Sequence, residues 1–546
     1  MRIPLMPSAP DTEANQAPVP SRWLFWLTAL IASVIHWIPH FPPQIDLAQH
    51  AAQIRMLHAF HTGINFASRD IMTLNYFTPY LPAYITGAVL TSVMPVVVTV
   101  KLLWTLGAFG TVYTTVRLRR AFSANHDWDW IMVPGLFGMT FKWGFLTFVL
   151  ALPIGLFIVE LWVRHLRGPR HRSGTVIALA LAALFFAHAL VTVWVMCVCG
   201  LMLLCSLRSL AELRNSWDRF LPLLSPLPAA LGWLSISRDA AQTHSATTWD
   251  WDFRYSNFFA QWLGIDDLGL AILAGVAILG AAGMAGARLA RDPVRLAPLA
   301  VTLLVLLLGP NVIFGNAFTY NRFFSLLGSA LVCALATKAP QDARSRARRY
   351  ALPAIGVASV LLASVHMVRF AREQSDFRLV LRAMAPGRRT LSVVQESNSQ
   401  ALGRSLEYLN FPVWYQAERG GLVEPNFAAY LPMIVRFRAA TDAGVPFQFE
   451  ARPDIDRIRD LTRFEYVLIR AAPNQQPLLG ARPLHLLAHE GQWWLFAVPK
   501  LRAQKASIAH RKRVHHPAQR TQADVSCGDR RAACMRWRAN GQQTPG

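Results

Sequence analysis

Trp23-Leu-Phe-Trp-Leu-Thr-Ala-Leu-Ile-Ala-Ser-Val-Ile-His-Trp-Ile-Pro39, followed in the chain by Asp46-Leu47-Ala48-Gln49-His50, decides how this sequence is read. The first stretch carries no Asp, Glu, Lys or Arg and reaches the ~17–25 apolar residues that span a bilayer. The second opens a helix. Leu47, Ala51 and Ile54 recur at helical spacing, while Asp46, His50 and Gln53 share another face, because residues three and four apart are neighbours. Asp46 followed by Gln49 also has the form of a capping box. It predicts a helix lying along the membrane surface with an exposed carboxylate at its start. The same exposed carboxylate is the best candidate for chemistry.

Outward from this point the chain is dominated by apolar runs. Of its 546 residues, 53% are hydrophobic and 16% charged, with a mean hydropathy of +0.29; soluble domains carry roughly 25% charged residues. The net charge of +23 does not indicate a nucleic-acid partner. Arg supplies nearly all of the positive charge, and Arg clusters lie between apolar runs, where cytoplasmic loops of membrane proteins carry them. Cys197, Cys199, Cys205 and Cys333 lie in apolar segments, and Cys527 and Cys534 lie near the end. They form neither a disulfide framework nor a metal-ligand spacing. The exit of the first run, Pro39-His-Phe-Pro-Pro43, lacks a small-x-small cleavage site, so the run reads as an uncleaved first span.

Positive charge orders the rest. The segment 1–21 is a polar, disordered, cytoplasmic N-terminus, and 22–368 is the multi-span membrane domain, with 40–98 as an outer loop. The apolar run 80–95 is a surface or re-entrant helix, because a crossing there would put Arg117-Leu-Arg-Arg120 outside. The spans are 23–39, 99–117, 130–141, 144–163, 175–190, 191–207, 219–237, 268–288, 296–312, 321–337 and 350–368, about eleven in all. Beyond 368 the pattern changes. Thr390–Val394 and Tyr466–Ile469 read as strands, and Leu484–Leu487 and Trp493–Val498 flank a hairpin turn at His489-Glu-Gly-Gln492. Pro425–Arg438 reads as a helix opened by proline. The expected fold is mainly α, a polytopic helical membrane protein with a small C-terminal mixed α/β extracytoplasmic domain at 369–500. A basic tail, 501–546, has no core-forming pattern.

Two cations stand at outer ends of spans: Arg322, after Tyr320-Asn321, and Lys142, in a tight turn. Each also fits a cation snorkelling at a helix end. Asp70, beside Arg69, is a second carboxylate of the outer loop. Trp249-Asp250-Trp251-Asp252 alternates rings and acids, which suits either a carbohydrate face or an interfacial aromatic belt. His188 is a polar residue within an apolar run, a functional candidate by default unless it faces water at a helix end. No phosphate-binding glycine loop, dinucleotide fingerprint or nucleophile elbow is present, which argues against a nucleotide-driven enzyme or pump.

The order of parts resembles the C-type (GT-C) membrane glycosyltransferases: a first span, a long helical outer loop opening on Asp46, then Tyr80-Leu-Pro-Ala-Tyr84, then a span ending in an Arg cluster. In layout the resemblance covers most of residues 20–370. It implies transfer of a sugar from a polyprenyl-phosphate donor to a glycan, lipid or protein acceptor, on the outer face of the cytoplasmic membrane. Asp46 then matches the family's acidic site, as base or ligand of a divalent metal, with His50 in support. Arg322 and Lys142 become candidates for the lipid phosphate, and Asp70, Trp249, Asp250, Trp251 and Asp252 for substrate binding. Two other classes remain open: a transporter or flippase of lipid-linked sugars, and an envelope-assembly protein without catalysis. A transporter is expected to carry ionisable residues along a path at the membrane midplane; here the charges collect at the span ends.

Overall fold

The structure, a computed structural model, describes residues 22–499 apart from 65, 169–170, 208, 210–211, 213–216, 242–246, 314–315, 338–349, 431–432, 447–448 and 481. The expectations for 1–21 and 501–546 therefore lie outside the described residues.

Among the described residues four helical segments are long and apolar enough to cross a membrane: Val96–Ala121, Leu146–Arg167, Ala189–Ser206 and Ala351–Ala383, the last interrupted at Gln374. Shorter apolar helices stand with them, among them His171–Ala187, Leu268–Met284, Pro293–Leu308 and the Asn321–Ala334 segment. The chain is thus mainly helical and polytopic, as its apolar runs predict. Leu81–Leu90 is a helix of 10 residues; at ~1.5 Å per residue it measures about 15 Å, half a hydrocarbon core.

The run 130–141 departs from expectation. Instead of one continuous helix it is broken into a 3-10 turn, His126–Ile131, and two short helices, Met132–Gly135 and Met139–Trp143. At the break another segment's main chain packs closely: a Cβ on Gly138 would lie 2.3 Å from the Trp262 carbonyl oxygen, so glycine is required there. Broken backbone of this kind is tolerated at membrane depth where protein covers it; Trp128, Trp130 and Met132 are all buried.

The C-terminal part forms a five-stranded sheet. In order across it run Leu422–Glu424, Arg389–Val394, Tyr466–Arg470, Trp493–Ala497 and His485–Glu490. The first three are parallel neighbours and the last two form an antiparallel hairpin. Gly491, at φ +55, sits in its turn, where a left-handed residue lets two strands reverse. Four of these strands lie where the sequence pattern predicts them, with His485–Glu490 running into the expected turn; Leu422–Glu424 is not among those predicted.

Pro425–Arg438 is not a helix. A 3-10 turn at Phe427–Ala429 is followed by a strand, Val435–Phe437. That strand pairs antiparallel with Met72–Leu74 of the 40–98 loop, a partner more than 350 residues away that local pattern cannot reveal. The same seam is closed by Gln53 of the Leu47–Thr62 helix. Its amide donates to the Val435 carbonyl and accepts from the Val435 N–H, both at 3.0 Å, and so extends the strand's ladder with a side chain. The described residues form one compact unit.

The Leu47–Thr62 helix is accordingly not a surface helix. Leu47, Ala48, Ala51, Ala52, Ile54, Met56 and Leu57 are all buried. Its alanines permit close packing, and Gly87 of the neighbouring helix is needed because a Cβ there would meet the Ile54 side chain at 2.6 Å.

Candidate active site

Asp46 is fixed first by its backbone. The N–H groups of Ile45 and Asp46 bond the carbonyls of Lys142 and Trp143 at 3.1 and 2.8 Å. The start of the loop helix is thereby tied to the turn that precedes Leu146–Arg167. Asp46 occupies the N-cap position, yet its side chain makes no capping bond, and the expected capping box is absent. Gln49 instead reaches the C-terminal part: Nε2 donates to Asn410 Oδ1 at 3.3 Å and to the Pro425 carbonyl at 3.1 Å, and Oε1 accepts from Phe427 N–H at 3.1 Å. With its oxygen held by Gln49, Asn410 turns its Nδ2 to Asp46 Oδ1 at 2.8 Å.

The carboxyl is also buried, with Asp46 8% exposed, where exposure was expected. Burial pushes its pKa up to about 7, against the pull of Arg322 and the Asn410 bond, and the Glu450 carboxyl adds to the rise. Desolvation disfavours the charged form, which is why burial dominates. One turn on, His50 shares Nδ1 with the Tyr84 hydroxyl at 2.8 Å, and that hydroxyl also reaches Met433 Sδ at 3.3 Å. Burial, then Arg322, lowers the imidazole to about 3, so His50 is neutral at physiological pH.

Arg322 comes from the turn before Phe324–Ala334. Its guanidinium lies 4.2 Å over the Phe145 ring, and one nitrogen makes a long 3.4 Å bond to the Ala317 carbonyl. Its Nε is buried without a partner among the described residues, although a guanidinium carries five N–H donors. Asp46, His50 and Arg322 line a single cavity of about 370 Å³. Trp143, Phe145, Phe318 and Phe427 supply aromatic wall, and Tyr80 and Glu450 also face it. Tyr430 donates to Glu450 at 3.3 Å, and burial raises that carboxyl.

The other candidates do not enter this cavity. Lys142 pairs with Asp266 at 2.8 Å and approaches Ser405. Asp70 is exposed and lines a separate depression with Arg69 and Arg438. Asp250 faces Arg254 at 3.7 Å and Tyr320 at 3.4 Å, and the Trp249 indole donates to the Leu308 carbonyl. Trp251 and Asp252 are exposed. His188 is buried rather than facing water, behind Tyr80 at a ring-centroid distance of 5.1 Å. Conversely, sequence reasoning missed Glu450, Asn410 and Tyr430. Glu450 and Asn410 stand in no local pattern that marks them.

Among the described residues no group of three His, Cys, Asp or Glu side chains is placed to hold a metal ion. In this cavity the donors are a carboxylate already bonded to an amide, an imidazole already bonded to a phenol, and the Glu450 carboxyl already bonded to Tyr430. This set does not fit the divalent metal that the resemblance implies. What it offers is a carboxyl that titrates near neutrality, a neutral imidazole, and a cation between aromatic walls that has no carboxylate partner among the described residues.

No family model matches this sequence, and no curated protein matches it. A crystal structure of ArnT from Cupriavidus metallidurans in the apo state is similar to 88% of this chain and to 99% of that one, at 12% identity and a TM-score of 0.48.

Proposed function

We propose that this chain is a membrane glycosyltransferase that moves a sugar from a polyprenyl-phosphate donor to a hydroxyl acceptor on the outer face of the cytoplasmic membrane. The observation that carries the reading is the convergence of Asp46, His50 and Arg322, from two distant parts of the sequence, on one cavity. The cavity lies at the ends of apolar helices: Trp143–Thr147 opens one and Asn316–Arg322 leads into another. In the proposed topology, with the N-terminus inside, these ends face outward, and a lipid's phosphate reaches Arg322 while its chain stays in the bilayer.

The step balances with these residues. The acceptor oxygen forms a bond to the anomeric carbon as the bond from that carbon to the phosphate oxygen breaks. The phosphate leaves with the electron pair, and the acceptor proton passes to Asp46. A base works best when its pKa lies near the working pH, and burial brings Asp46 to about 7. Arg322 stabilises charge developing on the phosphate, an effect strengthened where water is excluded. Neutral His50, held by Tyr84, is placed to hydrogen-bond a sugar hydroxyl without adding charge.

The test is Asp46→Asn in the full chain reconstituted in lipid nanodiscs, given undecaprenyl-phosphate-linked pentoses and hexoses together with an envelope lipid and glycan extract that supplies acceptor hydroxyls, and assayed for acceptor-dependent release of undecaprenyl phosphate. Asn keeps the shape and removes the base, so release falls by at least ~10²-fold. Undiminished release contradicts the assignment.

A further inference from the structure

His188 stands where the helices His171–Ala187 and Ala189–Ser206 meet. One helix closes and the next opens on it: His188 N–H bonds the Leu184 carbonyl at 2.8 Å and Thr192 N–H bonds the His188 carbonyl at 3.1 Å, with the His188 backbone itself extended between them. Its backbone is therefore satisfied, but its side chain is not. The ring is buried, and among the described residues neither Nδ1 nor Nε2 has a hydrogen-bond partner. Buried polar groups are nearly always bonded, and one that is not calls for an explanation.

The surroundings supply one. The imidazole is wedged between Tyr80 and Phe148, each at 5.1 Å between ring centroids. Tyr80 and Thr147, the neighbour of Phe148, both line the cavity of Asp46. Arg322 and His50 lie close enough to act on the ring electrostatically. Arg322 shares its condition, since its Nε is also buried and unbonded. Two donors thus stand unsatisfied among the described residues, Arg322 in the wall of that cavity and His188 directly behind it. A ligand group that satisfies both must be an acceptor with several oxygens and negative charge; a hydroxyl does neither for the guanidinium.

We infer that His188 donates a ring N–H to the phosphate of a prenyl monophosphate seated on Arg322, making it a second binding residue of that seat. The inference rests on the reading of Arg322 given above. A neutral imidazole suits the task, because it holds the phosphate by a directional bond without adding a charge that would oppose the phosphate's departure with the lipid.

The probes are farnesyl monophosphate and farnesol, titrated against the full chain in nanodiscs. His188→Phe keeps a flat ring and removes the donor. A bond to a charged group is strong enough that its loss weakens farnesyl monophosphate about tenfold, while farnesol binding stays unchanged. His188→Gln, which retains a donor, recovers most of the affinity, and His188→Met, close to it in size, does not. Equal losses for the phosphate and the alcohol indicate packing alone and overturn the inference. So does unchanged phosphate affinity in His188→Phe when Arg322→Gln has lost it, the result expected if His188 bonds only a trapped water. If Arg322→Gln also binds the phosphate normally, the phosphate seat itself is wrong. Should His188→Phe fail to fold, equal affinities of the Gln and Met variants overturn the inference.

Discussion

Two stretches of this chain look like sites on composition, and the structure treats them oppositely. In Trp249–Tyr255 the bonds that the polar groups make go to the framework. Although Asp250 Oδ1 and Arg254 Nε and Nη1 are buried without a hydrogen-bond partner among the described residues, none of these residues lines the Asp46 cavity. Arg254 is buried with its guanidinium 4.0 Å over Tyr320, bonded to the Gly309 carbonyl and facing Asp250. The Trp249 indole and the Tyr255 hydroxyl donate to the carbonyls of Leu308 and Leu307. The rings themselves are exposed, Trp249 by 47% and Tyr255 by 54%, as an interfacial belt places them. Around Asp46 the composition is ordinary, yet capacity is left over: a carboxyl driven toward neutrality, and a guanidinium with one long bond. Unusual composition marks how the fold is anchored, whereas unsatisfied polar capacity in a cavity marks where a ligand belongs.

The sharpest way to break this contrast is to make the same substitution in both places. Asp46→Asn lowers transfer by ~10²–10⁴-fold, while Asp250→Asn changes it less than about threefold and destabilises by roughly 1–3 kcal/mol, since buried Arg254 loses its charged partner. The two differ in stability as well. The Asp46 pKa is raised in the folded state, from 3.8 to about 7, so the fold binds the proton more tightly than the unfolded chain. Its contribution is fully present below about pH 4 and is lost as pH rises through about 7. Asn removes that loss, and Asp46→Asn gains Tm relative to the parent at pH 8 but not at pH 4. Thermal melts at the two pH values check the sign.

The next effect compares two cations. Arg322→Gln lowers transfer by roughly 10- to 100-fold, because the phosphate loses bonds to a charged group. Lys142→Gln stays within about threefold, since its partner is Asp266 and the ion pair is part of the framework. Equal losses for the two variants would erase the distinction between a cation with a carboxylate partner and one without. The smallest effect belongs to Glu450. Its charge raises the Asp46 pKa, so Glu450→Gln moves the acid limb of the pH–rate profile to lower pH, with the plateau rate little changed.

How much of this was legible follows the range of each interaction. Asp46, His50 and Arg322 were found because each stands at the end of an apolar run, a feature visible locally. The strands at 389–394, 466–470 and 493–497 announce themselves by β-branched and aromatic residues. What failed depended on distant partners. The capping box of Asp46 and Gln49 was chemically sound, but Asn410, Pro425 and Phe427 take up Gln49 from about 360 residues away. The helix expected at 425–438 gave way to a strand because Met72–Leu74 offered it an edge. Lys142 lies in the last turn of the short helix Met139–Trp143 rather than in a tight loop turn, and nothing nearby named Asp266 as its partner. Glu450 follows neither pattern and enters the cavity only through the fold.

The pH dependence of transfer by the reconstituted chain tests the central claim most directly, because it reads the protonation of the group held to be the base. The rate constant kcat/KM is expected to rise with pH, with an apparent pKa of about 7, and to level off above it. The residual rate of Asp46→Asn is expected to lack that limb. A wild-type profile that is flat from about pH 5.5 to about 8.5, or the same limb surviving in Asp46→Asn, contradicts the assignment of Asp46 as the base.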